Sequence, residues 1–251
     1  YLDTEAYEKA ARMAESVINS EAGYTLSSSV AEMTAEFTND SGSEAILQLY
    51  ASRAEGLVAN SIFTGVSQDR KGKYFQPYYI PSQKLIDAYS SNDLRFRTWF
   101  SSNLYPIFAN GARHKNIYTF IKYLGNPNFQ TGALETGACS AKPLMISEMY
   151  LIAAEANIKA GNKVLPARTA LNTLQAARGA NQTEPTMANI KLEWFRETVG
   201  EGMRMTCLKR WGDGFEGRPY QKNAEGIVMT GEYYEKRAID SDEYVLCWPI
   251  P

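Results

Sequence analysis

Three carboxylates, Glu193, Glu197 and Glu201, follow one another at four-residue spacing, and a second acidic pair, Glu148 and Glu155, lies upstream. Two carboxyl groups held at a fixed separation across a glycosidic bond would be the machinery of glycoside hydrolysis. The spacing favours another use. Residues four apart share one helix face, and Arg196 and Arg204 occupy neighbouring positions, so these acids read as ion pairs within and between helices. Gly200-Glu201-Gly202 is no phosphate loop, because it lacks a Gly-Lys-Ser/Thr ending and a preceding strand, and its central acid would repel phosphate. Its glycines are expected to permit a close helix–helix or helix–loop approach.

The remaining reactive residues are few. A single histidine, His114, gives a histidine-ligated metal centre or a serine–histidine triad almost nothing to draw on. Three cysteines, Cys139, Cys207 and Cys247, are far apart and odd in number, and read as unpaired core or boundary residues. No cofactor is expected. Met145, Met149, Met203 and Met205 fall at helical positions and read as core filler.

Recognition chemistry has more material. Between Tyr24 and Pro143 the chain is rich in Gly, Pro, Ser and Asn and carries runs of aromatics: Tyr74, Phe75, Tyr78 and Tyr79; Trp99, Phe100, Tyr105 and Phe108; Tyr118, Phe120, Tyr123 and Phe129. A sugar ring offers an apolar C–H face and a hydroxyl rim, so its site wants a flat aromatic platform with amides or charges beside it. Asn103, Asn110, Arg113, Asn116, Asn126 and Asn128 supply such neighbours. The candidate ligand residues are Trp99, Tyr105, Tyr74, Tyr78, Tyr118 and Tyr123, with Asn103 and Asn116. Aromatics bury large areas wherever they occur, and Phe75, Phe100 and Phe120 are assigned to the core.

The elements that must position these residues are mostly helical. Ala6, Ala10, Met13, Ala14, Val17 and Ile18 keep helical spacing over 4–19, with Thr4 placed to cap, and the apolar stripe is expected to be covered by something other than its own repeat partner, or left bare. A loop-rich segment over 24–143 cannot be one loop and reads as several short helices and hairpins, including a strand near Ala45–Tyr50 and a helix near Gln83–Tyr89. Helices are expected over 147–160, over 166–178 with Pro166 in the first turn, and over 187–210, the last interrupted at Gly200–Gly202. The pair joined at Gly161-Asn162 resembles one tetratricopeptide repeat. Tyr244, Leu246 and Trp248 alternate as a short closing strand.

Composition excludes several classes. With 26 basic and 28 acidic residues interspersed over 251, no basic patch is offered to nucleic acid. No run approaches the roughly 20 apolar residues that span a bilayer.

Two stretches carry a resemblance. Glu148-Met-Tyr-Leu-Ile152 followed by Ala154-Glu-Ala156, and then Glu193, Glu197, Glu201-Gly202, Arg204 and Leu208-Lys-Arg-Trp211, resemble the signature of the SusD/RagB family. Asp93-Leu94-Arg95 after a short helix and a closing Ile250-Pro251 agree in order. The chain departs from the family at Met145, where an arginine is common, at Trp194-Phe195, and at Cys207 in place of an aspartate. The resemblance implies a mostly α fold of tetratricopeptide-like helical repeats with long loops and small strands, of which this chain is expected to be a C-terminal part. It also implies an outer-membrane lipoprotein on the extracellular face, anchored by an N-terminal lipid outside this chain. Such a protein binds an oligosaccharide, or in some branches a peptide, for a SusC-like TonB-dependent transporter and performs no catalysis. The alternatives are a docking protein without a ligand site of its own, and an enzyme, which would need convergent perturbed carboxylates in a cleft.

Overall fold

The computed structural model describes residues 1–50, 52, 54, 64–69, 72–77, 79–104, 106–107, 113, 115–130, 137–214 and 221, with backbone alone for 64–69 and 72–74. His114, Cys247 and the expected closing strand lie outside the described residues.

Helix α5 (Ile146–Lys159) is the hub, contacting α1 (Tyr7–Ile18), α6 (Val164–Ala177) and α7 (Met187–Glu197). Its alanines explain why. Ala153, Ala154 and Ala156 are fully buried beside Leu151, and small side chains let three neighbours approach one helix. Helix α6 adds Ala170, Leu171 and Leu174, α7 adds Ile190 and Trp194, and α8 (Met203–Trp211) adds Cys207. Between α5 and α6 the chain turns through Gly161 (φ 99°) and Asn162 (φ 56°), both left-handed, as a Gly-Asn stop predicts. Pro166 is the third residue of α6, which starts at Val164, and so lies in the first turn.

Helix α1 is covered by α5, through Ala10, Ala11 and Ala14. Two details differ from expectation. Met13 falls to the side of the buried stripe and is 47% exposed. Thr4 does not cap the helix; its hydroxyl donates to the Tyr1 carbonyl, and the N-cap position is Ala6.

The segment over 24–143 resolves into short elements, as its composition requires. Among the described residues they are α2 (Val30–Phe37), α3 (Gln83–Asp87), α4 (Leu94–Trp99), a 3-10 turn at Pro127–Phe129 and three antiparallel ribbons. The ribbons pair β1 (Ala45–Leu47) with β6 (Leu144–Met145), β2 (Thr64–Asp69) with β3 (Gly72–Pro77), and β4 (Phe100–Ser101) with β5 (Thr119–Phe120). A second core gathers Met33, Phe37, Leu85, Tyr89, Trp99, Phe100, Phe120 and Met145. Its rings meet edge-on or tilted, with Phe37 and Trp99 centroids 5.2 Å apart and Phe100 and Phe120 5.3 Å apart.

Buried charge joins the two cores. Arg95 on α4 bonds Asp93, Glu193 (2.6 Å) and Glu197 (2.8 Å), and all four side chains are at most 3% exposed. Arg178, after α6, bonds Glu44 (2.7 Å), Glu197 (2.6 Å) and the Ser27 carbonyl (2.7 Å). Burial alone would raise the Glu197 pKa, but Arg178 and Arg95 reverse that and hold it at about 2. Burial likewise works against the Arg178 charge, and Glu197 with Glu44 more than restores it. Every carboxylate oxygen of Glu44 and Glu197 is bonded, which is the condition for a tolerable buried ion cluster.

The expected helix over 187–210 is two helices, broken after Glu197 and resumed at Met203. Gly202 stands at φ 77°, and a Cβ there would meet nothing within 4 Å. This glycine therefore serves a left-handed backbone and not the close approach its sequence suggested. Lys122, 2% exposed, ties down the break by bonding the Val199 carbonyl (3.2 Å) and Glu201 (2.5 Å).

Candidate functional site

Among the described residues the expected aromatic platform is not gathered. Trp99 is 1% exposed, inside the second core, with the Lys122 ammonium 3.7 Å from its ring centre, so it offers no face to a ligand. It is on α4, not in a loop; Asp93 caps that short helix and Trp99 is its inward-facing last residue. Tyr118 is half-buried against Phe96, at 5.0 Å between ring centres, and its backbone N–H donates to Gln221. Tyr123 packs edge-on to Phe37, and burial raises its hydroxyl pKa well above the ordinary value. Asn103 and Asn116 are exposed, Asn116 in a left-handed turn at φ 59°. Tyr74 lies on β3 opposite Ser67, with its side chain outside the described residues, and Tyr78 and Tyr105 also lie outside them. Of the core assignments, Phe100 and Phe120 are buried and Phe75 is half-buried.

What the fold does build is an open pocket of about 350 Å³, lined by Asn39, Asp40, Gln48, Leu49, Tyr50, Asn126, Phe129 and Ser140. Four separate segments meet there. The first leaves α2, whose Ser29 cap accepts the Glu32 N–H. The loop after it turns back at Asp40 (φ 54°) and crosses α2 at Gly42, where a Cβ would stand 2.7 Å from the Glu36 backbone. Only glycine allows that crossing. The Glu36 carboxylate then accepts the Glu44 N–H at 3.0 Å.

Glu44 is where the pocket meets the charge network. Held by Arg178 through its side chain and by the Ile146 N–H through its carbonyl, it sets the start of β1, which leads to Gln48, Leu49 and Tyr50. The Leu49 N–H continues the ribbon by donating to the Ala141 carbonyl at 2.8 Å. Tyr50 is thereby presented at 79% exposure, with a stacking face and a polar tip.

The third and fourth segments are stitched to the first. Gly125 (φ 104°) crosses the Gly137–Ala138 backbone, and Asn126 and Ala138 bond at 2.6 Å. The Asn126 amide donates to the Asn39 carbonyl (3.0 Å) and to Asp40 (2.9 Å), while its oxygen accepts the Asn128 N–H. Asp40 also accepts the Ser140 N–H at 3.0 Å and pairs with Lys142. These bonds use up Asn126 and Asp40 as framework. Asn39, Gln48, Tyr50 and Phe129 line the pocket beside them.

Sequence reasoning reaches two of these residues, Phe129 in the aromatic runs and Asn126 among their polar neighbours, without naming either as a ligand candidate. It places Tyr50 in a strand, and Asn39, Gln48 and Ser140 carry no pattern. A further signal is the tyrosine at the end of the apolar burst Ala45–Tyr50, just where turn-rich sequence resumes. Among the described residues no group of His, Cys, Asp and Glu could hold a metal ion, and no helix is long and apolar enough to cross a membrane.

The architecture is shared with solved structures. A SusD superfamily protein from Bacteroides thetaiotaomicron VPI-5482 superposes with a TM-score of 0.67 at 21% identity, covering 98% of this chain and 53% of its own. One from Bacteroides vulgatus ATCC 8482 gives 0.60 at 22%, covering 99% and 52%. Surface glycan-binding protein A from Bacteroides thetaiotaomicron gives 0.60 at 20%, covering 93% and 56%. The chain thus spans about half the length of these structures. No curated protein matches it in sequence. The sequence profile of the SusD family matches residues 19–251, nearly the whole chain, and on that match the protein belongs to the SusD family.

Proposed function

We propose that the protein binds glycan at the cell surface, without catalysis, and passes it to a SusC-like TonB-dependent transporter. Outer-membrane anchoring through an N-terminal lipid, and a place as the C-terminal part of a longer domain, belong to the same reading. The observation that carries it is the pocket beneath Tyr50: an exposed ring beside Asn39, Gln48 and Ser140, held by buried framework bonds. A flat ring flanked by amides and hydroxyls is what a pyranose needs, and a site formed before the ligand arrives loses little entropy on binding. Family membership and the fold shared with a surface glycan-binding protein support the same direction. Non-catalysis accords with the acids at 193 and 197 being bonded to arginines inside the core.

The exposed Leu47, Leu49 and Leu144 on the same ribbon favour a second reading, in which this face docks against another protein. Isothermal titration with a panel of hexasaccharides separates the two. Binding in roughly the micromolar to millimolar range is expected, with Tyr50→Ala costing about 1–3 kcal/mol of affinity at unchanged melting temperature. No heat from any glycan, or released sugar, would refute the glycan reading. Asn103 and Asn116, exposed and not among the residues lining the pocket, stay in the mutational panel as candidates for a separate contact.

A further inference from the structure

Resting on the glycan reading, we infer that the Tyr50 pocket takes an uncharged sugar residue, and that the Asp40–Lys142 ion pair is what sets this preference. Both side chains of the pair are nearly buried, at 5% and 7% exposure. Asp40 lines the pocket, yet both its oxygens are engaged, one by Lys142 and the other by Asn126 and the Ser140 N–H. Lys142 gives its charge to Asp40 and a further bond to the Ser140 carbonyl at 3.3 Å.

The pair has two consequences for a ligand. An incoming carboxylate or sulfate would meet a wall that holds a carboxylate, while the ammonium able to compensate it is already spent. A carboxylate in the wall and the desolvation of an anion that gains no partner both count against it. A neutral ring meets neither cost. Among the described residues, those that line the pocket beside Asp40, including Asn39, Gln48, Tyr50 and Phe129, are uncharged and suited to hydroxyls and C–H faces.

The test compares neutral hexasaccharides of glucose, galactose and mannose with the matching hexauronates, titrated calorimetrically into the full chain. At least one neutral member should bind about tenfold or more tighter than its uronate. Asp40→Asn releases the Lys142 charge and should raise uronate affinity about tenfold, the gain vanishing at high salt. Lys142→Met leaves the Asp40 charge uncompensated and should widen the gap in favour of neutral sugar. Should Asp40→Asn not fold, the wild-type ratio and Lys142→Met decide the matter. A uronate that binds as tightly as its neutral partner, in a manner lost in Tyr50→Ala, would overturn the charge preference while leaving glycan binding intact. No binding by any member, or binding indifferent to Tyr50→Ala, would overturn both.

Discussion

Arg178 joins four segments of this molecule. Its guanidinium joins the end of α6 to Glu197 on α7, to Glu44 at the start of β1 and to the Ser27 carbonyl. Arg178→Met should cost about 3–5 kcal/mol in urea unfolding, because it leaves Glu44 and Glu197 buried without their common partner. The network also gives stability a defined acid limb. Glu197 has a depressed pKa in the fold, about 2 against the ordinary 4.5, so its contribution is complete above about pH 4.5 and disappears as pH falls towards 2. Glu148 behaves oppositely. Burial first, then the neighbouring Glu201, raise its pKa to about 7, so the fold holds a proton that the unfolded chain releases near 4.5. Stability should therefore decline as pH rises from about 4.5 to 7, and Glu148→Gln should stabilise the protein at pH 8 by about 1–2 kcal/mol while changing little at pH 4. An unchanged melting temperature for this variant at pH 8 would contradict the assignment. The acids at 193 and 197 were legible as ion-paired from their spacing, and Arg196 does pair with Glu193. Their stronger partners were not, since Arg95 reaches Glu193 across 98 residues of chain and helical periodicity reports only on its own helix.

Among elements, the helices with long periodic stripes were read from sequence to within a few residues, while of the short helices formed by local caps α3 was expected near Gln83–Tyr89 and α2 and α4 were missed. Helix α2 is the plainest case. Its eight residues carry too short a stripe to stand out, although Ser29 with Glu32 three positions on is a capping signal, and Glu32 does reach back to the Ser28 N–H. The break between α7 and α8 was visible as Gly-Glu-Gly, but its cause was not, because a left-handed φ cannot be told from a close approach by composition. Two predictions belong here. Gly202→Ala should destabilise by about 1 kcal/mol through backbone strain alone, the space around it being empty. Lys122→Met should leave the α7 end without its side-chain cap, and the Thr198–Gly202 amides should exchange about tenfold faster while those of α5 are unaffected. Uniform acceleration across both helices would show that Lys122 supports the whole fold and not this junction.

At the scale of the molecule, two cores are joined by buried charge, and the charge network fixes the start of the ribbon that presents Tyr50. Helical patterning disclosed the first core, and the motif residues of 148–156 and 193–211 carried the SusD resemblance. It could not disclose the pocket, whose walls come from segments near 39, 48, 126 and 140, brought together by backbone bonds and by the Asn126 and Asp40 side chains. Trp99 shows the converse failure, an aromatic in apparently irregular sequence that a six-residue helix turns into the interior. The claim that the Tyr50 pocket is the glycan site is tested most directly by a ¹⁵N–¹H NMR titration of the full chain with the tightest-binding neutral hexasaccharide. Amide shifts concentrated at Asn39–Asp40, Gln48–Tyr50, Asn126–Phe129 and Ser140 are the predicted result. Shifts centred instead on Asn103 and Asn116, with the pocket amides unmoved at saturation, would contradict it.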